Sequence, residues 1–186
     1  AIALIAYFFA AFLYKIKGVP LERSNKKNPA IGKYIKCGNI DTDKLLFIHT
    51  GSGELYSDFG RFEIIAGDYV LLPRGTMWRV QFGSPIDILL IESTNAGFSL
   101  PDKGIVGTHA FFDPAMLDTP LIDKKFLDQQ TAVGASERWQ VRIKRKNNIS
   151  TVTYPYNPLD AVGWHGSLMP VKIKTSKVLQ PYFESN

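Results

Sequence analysis

The sequence is short of the side chains from which thiol and metal sites are built: its 186 residues include one cysteine and three histidines. A single Cys37 rules out an internal disulfide and a zinc site made of cysteines, and points to a reducing, cytoplasmic compartment. Its thiol follows Lys36, but no histidine stands near it in sequence to serve as a base, so an inert thiol is the simpler reading. Long apolar runs are lacking too. Residues 1–14 (AIALIAYFFAAFLY) fall short of the roughly 20 residues a membrane-spanning helix needs, and no basic cluster precedes them as in a secretory signal. They could form a buried strand or pair of strands, a short helix packed on the domain, or the trimmed end of an anchor; a buried element is favoured, and no membrane association is expected. Heptads, a phosphate-binding glycine loop, a dinucleotide-binding glycine pattern and internal repeats are all missing.

Charge of one sign does not dominate. The 22 basic and 17 acidic side chains give a net +5, with basic ends flanking an acidic middle. Nucleic-acid binding needs basic residues interleaved with exposed aromatics on one face, whereas the aromatics here alternate in strand patterns and are expected in the core. No nucleic-acid partner is expected.

What the sequence does have is strands and corners. The densest run is Asp43 to Val80, with β-rich stretches at Leu45–His49, Arg61–Ile65 and Tyr69–Leu72. Glycine-bearing turns at Gly51-Ser52-Gly53, Asp58-Phe59-Gly60 and Ala66-Gly67-Asp68 separate them, the pattern of an antiparallel meander. Pro73-Arg74-Gly75 marks a sharp corner, because proline cannot donate to a ladder and glycine tolerates backbone angles that other residues resist. Ile86–Glu92 reads as a buried strand, and the glycines and prolines of Ser93–Pro120 describe a long crossing loop that packs down through its apolar residues. Glu137–Tyr154 reads as a hairpin turning at Lys146-Asn147-Asn148, with Arg142, Lys144, Arg145 and Lys146 at a solvated tip. Leu168–Lys174 reads as a last strand. These elements predict an all-β fold, a jelly-roll barrel over 37–186, preceded by an apolar segment and basic arm over 1–36.

Few residues qualify for chemistry. His49 lies in a strand and is expected to be structural, and His109 precedes Asp113 at a spacing too common to define a site. Paired carboxylates such as Asp41 and Asp43, or Asp58 and Glu63, are expected to cap turns. No serine or cysteine has a histidine at a recognisable local spacing.

The pattern Gly67, five residues, Pro73, one residue, Gly75, two residues, then Trp78 resembles the second motif of the cupin superfamily, whose metal-binding members carry histidine at the last position. Setting the glycine of the first cupin motif on Gly51 places the glutamate position at Lys44 and the histidine pair near Gly38 and Ile40. Every donor position is thus substituted. The corner of Gly67, Pro73, Gly75 and Trp78 is expected to be scaffold, with Trp78 filling the space of a metal. Further along, LLFIHTGSGELYSDFGRFEIIAGDYVLLPRGTMWRV, GTHAFFDPAMLDTP and RIKRKNNISTVTYPYNPLDAVGWHGSLMPVKI together resemble homogentisate 1,2-dioxygenases over residues 40–175. That resemblance implies an Fe(II) dioxygenase of tyrosine and phenylalanine breakdown that opens homogentisate to maleylacetoacetate. It implies that the iron triad sits in a second cupin half, so that this chain carries no metal, catalytic or cofactor residues. It implies as partners that C-terminal half and further copies in a trimer or hexamer. Trp164 and His165 recur in the resemblance and can be read in two ways: Trp164 anchors a corner while His165 bonds a carbonyl, or His165 faces a partner domain or subunit at the active-site mouth. The alternative to an enzyme half is a stand-alone, non-catalytic cupin that binds a small molecule or supports assembly.

Overall fold

The computed structural model describes residues 34–37, 41–93, 97–98, 117–131, 138–146, 148–160 and 169–174. The apolar segment 1–14, most of the crossing loop, His109, Trp164 and His165 lie outside them. The described chain is all-β, with one short helix. Its strands are β1 (Tyr34–Cys37), β2 (Asp43–Thr50), β3 (Ser52–Ser57), β4 (Gly60–Ile65), β5 (Asp68–Leu72) and β6 (Met77–Phe82). They continue with β7 (Asp87–Ser93), β8 (Leu117–Asp118), β9 (Trp139–Arg145), β10 (Asn148–Tyr154) and β11 (Val171–Lys174); helix α1 (Lys124–Thr131) precedes β9. They make a six-stranded sheet A, ordered β10-β9-β1-β6-β3-β4, and a five-stranded sheet B, ordered β7-β2-β5-β11-β8.

This topology corrects the expected meander. Strand β2 pairs with β5 and β7, not with its successor, and β3 pairs with β4 and β6. The chain therefore crosses between sheets at nearly every corner from β2 to β7, as a cupin-like jelly roll requires. Ser52 and Gly53, expected in a turn, open β3; the turn was over-read because glycine and serine are turn formers, but the Gly53 site has no room for a side chain. A Cβ there would lie 2.5 Å from the Gln81 carbonyl oxygen of the neighbouring strand, so glycine serves close strand packing instead.

Period-two alternation places the main core between the sheets. Leu46, Ile48, Val70 and Leu72 from sheet B meet Leu55, Phe62, Ile64, Trp78 and Val80 from sheet A, each contributing about 1.5–3 kcal/mol by leaving water. Sheet A is also apolar on its other side. There Tyr56, Trp139 and Val141 pack with Phe126 of α1 and with Leu159 in a second core. The outward face of sheet B is half-buried, with Phe47 stacked on Tyr69 at 4.7 Å between centroids.

The helix that covers sheet A is short, with Phe126 wholly buried, so its position depends on its start. Asp123 caps it: the Phe126 N–H donates to Asp123 Oδ1 at 3.0 Å, satisfying one of the orphan donors of the first turn. The same carboxylate receives Arg61 from edge strand β4, with Nε at 2.8 and 2.9 Å and Nη2 at 2.6 Å. Nη1 of Arg61 reaches Glu54 Oε2 at 2.6 Å. A two-way backbone bridge between Arg61 and Leu121 completes the join. The Arg61 guanidinium beside Asp123 holds its carboxyl down at about 2. Because the folded value lies below the ordinary one near 4, this contribution to stability is complete above pH 4 and is lost as pH falls from about 4 to about 2. Asp123→Ala removes the cap and leaves Arg61 with Glu54 alone, and should cost about 2–3 kcal/mol at pH 7. Urea unfolding at pH 7 and pH 2.5 checks it: the deficit should shrink at the lower pH, and an undiminished deficit would contradict the assigned ion pair.

Candidate functional site

The corner after β5 lies at one end of the barrel. Pro73 ends the ladder, Thr76 N–H donates back to the Pro73 carbonyl at 3.2 Å, and Gly75 takes φ +80° with no heavy atom within 4 Å of where a Cβ would sit. Glycine is needed there for its backbone angle alone. Gly67, at φ +89°, turns β4 into β5 and donates its N–H to the Ile48 carbonyl at 2.8 Å. Asp43, opening β2, holds this end together: Oδ1 accepts the Arg74 N–H at 3.0 Å and its Nε at 3.2 Å, and Oδ2 accepts the Phe98 N–H at 2.9 Å. Arg74 is thus tied to the scaffold through its backbone N–H and Nε, while its side chain stays about half exposed.

Behind the corner, Lys44 is buried and faces inward on the same side of β2 as Leu46 and Ile48. Its ammonium lies 3.6 Å from Glu92 Oε1 across the β2–β7 pair. Lys144 of β9 reaches Glu92 Oε2 from sheet A, so the carboxylate ties both sheets. This corrects the expected solvated tip in part: Arg142, Arg145 and Lys146 are exposed, but Lys144 turns inward and is half-buried. Trp78, 6% exposed, packs in the main core, and its indole N–H has no partner among the described residues. Lys44 and Trp78 occupy the positions where the cupin resemblance expects a glutamate and a histidine. A protonated amine has no lone pair to give a divalent cation, and an indole N–H is a donor only. These two side chains do not fit an iron centre.

The histidines are not brought together within the described residues. His49 is exposed on the outward face of sheet B, 6.2 Å from the Phe47 ring, and His109 and His165 lie outside them, as does Trp164. Among the described residues no three His, Cys, Asp or Glu side chains converge, and no helix is long and apolar enough to cross a membrane. A shallow groove of about 200 Å³ on sheet A is lined by Ser52, Glu54, Glu63, Gln81 and Phe82, with Glu54 already engaged by Arg61 and Lys125.

Two polar features go beyond the sequence reading: Arg79 went unread there, and Asp58 was read only as a turn cap. Arg79, 6% exposed, points away from the main core, with its guanidinium 4.4 Å over the Tyr56 ring and 5.7 Å from that of Trp139. Nη2 donates to Gln129 Oε1 at 2.8 Å, an oxygen that also accepts from Asn157 at 2.8 Å. Burial pulls its pKa down, yet a guanidinium remains charged, and the ring faces supply negative potential where no carboxylate does. Alternation with Trp78 and Val80 was the available signal: Arg79 had to face the opposite way, onto aromatics. Asp58, in the β3–β4 turn, accepts the Met77 N–H at 3.3 Å through Oδ2, while its Oδ1 is buried without a partner among the described residues. Burial pushes this carboxyl up to about 6.

Comparison with known proteins joins this barrel to one family. Residues 30–174 match the family described as homogentisate 1,2-dioxygenase N-terminal. The chain belongs to that family. Among curated homogentisate 1,2-dioxygenases, that of Rhodopseudomonas palustris (strain BisA53) is 29% identical over 135 residues. That of Bradyrhizobium diazoefficiens is 27% identical over 135 residues, and that of Sinorhizobium fredii 29% over 137. Each alignment covers 72% of this chain and 28% of the relative, so the chain spans well under half the length of the homogentisate dioxygenases it matches. The matched stretch takes in the corner, the Lys44–Glu92–Lys144 bridge and the Arg79 box.

The raised carboxyl generates a pH-dependent expectation. The folded protein binds the Asp58 proton more tightly than the unfolded chain does, so stability falls as pH rises from about 4 to about 6 and the ionised form is a liability above that. Asp58→Asn removes the liability and should raise stability by about 1–3 kcal/mol at pH 7.5, with no gain at pH 4. Paired urea titrations read this directly, and an asparagine variant less stable than the parent at pH 7.5 would refute the assignment.

Proposed function

We propose that this chain acts as the metal-free cupin half of a homogentisate 1,2-dioxygenase-like enzyme, supporting ring opening of homogentisate to maleylacetoacetate with O2 in cytoplasmic tyrosine and phenylalanine breakdown. The observation that carries this reading is the family match running through the barrel, together with the activity for which the relatives are named. Its role is scaffolding. Lys44 and Trp78 stand where a cupin would hold donors, so the Fe(II) on which the chemistry depends belongs to a second cupin half, the chain's foremost partner, in an assembly of several copies. A second reading, a non-catalytic module for assembly or small-molecule binding, is favoured by the same pair of substitutions, since a closed ion pair and a core indole leave the barrel complete without a metal.

The two are separated by testing the 186 residues alone and joined to the remainder of a relative. The 186-residue chain alone should hold no stoichiometric iron and consume no oxygen with homogentisate. Fused to the part of the Rhodopseudomonas relative that follows the aligned region, it should bind about one iron per chain and turn over. One tightly held iron in the isolated chain, lost when His49, His109 or His165 is changed, would overturn both readings. A chimaera that folds and loads iron but consumes no oxygen would favour the module.

A further inference from the structure

The four sheet edges among the described residues are not alike. β4 is closed by the two-way bridge to Leu121, and β8 has only two residues. β7 carries Asp87 and Glu92 near its ends, the latter turned inward to Lys44 and Lys144, which is how natural edges avoid unwanted pairing. β10 has no such guard. Its seven residues, Asn148-Ile-Ser-Thr-Val-Thr-Tyr154, include no charge and no proline. The first six are exposed, Ile149 at 68% and Val152 at 38%. A bulge-free, uncharged edge rich in β-branched residues, with a row of backbone groups unpaired among the described residues, is a template for another strand.

The register says which groups are free. Residues 146 and 147 join Arg145 to Asn148, which face each other across the hairpin, and Lys146 takes φ +45°. In a two-residue hairpin the flanking pair exchanges both backbone bonds, and such pairs recur at every second residue. Asn148, Ser150, Val152 and Tyr154 therefore bond inward to β9, while Ile149, Thr151 and Thr153 direct their N–H and C=O groups outward. This set is symmetric about Thr151.

We propose that β10 is a self-pairing edge through which two copies of this chain join, antiparallel about a two-fold axis, with Thr151 opposite Thr151. In that register Ile149 faces Thr153 of the other copy on both sides of the axis, so every outward N–H meets an outward C=O. A two-fold contact is satisfied by one strand meeting itself, with no second surface required. Charge selects the direction. Parallel pairing would set the basic tips, Arg145 and Lys146, side by side. Antiparallel pairing places each Lys146 opposite residue 156, the exposed Tyr156, and sets the two tips roughly 30 Å apart, beyond the screening length at physiological salt.

Sedimentation velocity and amide exchange on the 186-residue chain test this. The expected result is a concentration-dependent dimer in which the Thr151 and Thr153 amides gain protection as the dimer forms. Thr151→Pro removes an outward N–H and leaves the β9 ladder intact; it should weaken association about tenfold or more, whereas Thr151→Val should not. Should the proline variant fail to fold, Ile149→Lys, at an exposed position, places ammonium groups along the same seam and should have the same effect. A chain monomeric at about 100 µM, or an oligomer unmoved by these edge variants and without protection at Thr151, would overturn the proposal.

Discussion

Taking the guanidinium of a residue only 8% exposed out of water carries a cost that opposing charge can offset, and at Arg61 carboxylates supply it from two directions. Glu54 lies on the neighbouring strand and Asp123 begins the helix, so this buried cation fixes the helix to the sheet. Without that join, a helix whose wholly buried apolar side chain is Phe126 has little to hold it, since an isolated helix of this length does not form in water. The second core depends on it in turn. Tyr56, Trp139 and Val141 are inside only because α1 and Leu159 lie across them, and the Arg79 guanidinium is tolerable only because Tyr56 and Trp139 are held there.

Sheet A is thus the middle layer of a domain with apolar contacts on both its faces, and this explains features that a simple sandwich would not. A strand buried on one side should alternate apolar with polar; β6 instead reads Met-Trp-Arg-Val, with three of these four buried. The polar member survives by choosing aromatic neighbours. The same economy appears inside the barrel, where the ammoniums of Lys44 and Lys172 are each matched, the first by Glu92 and the second by the Glu63 carbonyl at 2.7 Å and Asp118 at 3.3 Å.

Strand identity was legible wherever alternation ran cleanly, as in β4, β5 and β9, because a period of two is a local property of the chain, and β10 was legible from the turn that precedes it. Neighbour relations were not. Nothing within Leu45–Leu72 tells β2 to pair with β5 and β7 instead of β3; that is decided by which faces find partners across the barrel. β3 was hidden by Gly53, whose purpose is a 2.5 Å limit set by a carbonyl on another strand. Helix α1 was hidden because its apolar stripe is nearly empty, and the legible clue, aspartate three residues before a phenylalanine, gains force only with Arg61 beside it. Of the candidate residues, the corner glycines and Trp78 could be placed from spacing alone, and Lys44 from its distance to Gly51. The bridge from Lys44 through Glu92 to Lys144 joins three strands far apart in sequence, and no local pattern announces it.

That bridge changes what kind of object the barrel is. Where a cupin carries a dissociable ion, its folded population follows the ion's activity in the surroundings, because whatever binds only the native state shifts the folding equilibrium. Here the cation at the glutamate position is part of the polypeptide. It is present at full occupancy from synthesis onward, cannot be withdrawn by a chelator or exchanged for a competing metal, and joins β2, β7 and β9 as soon as the chain folds.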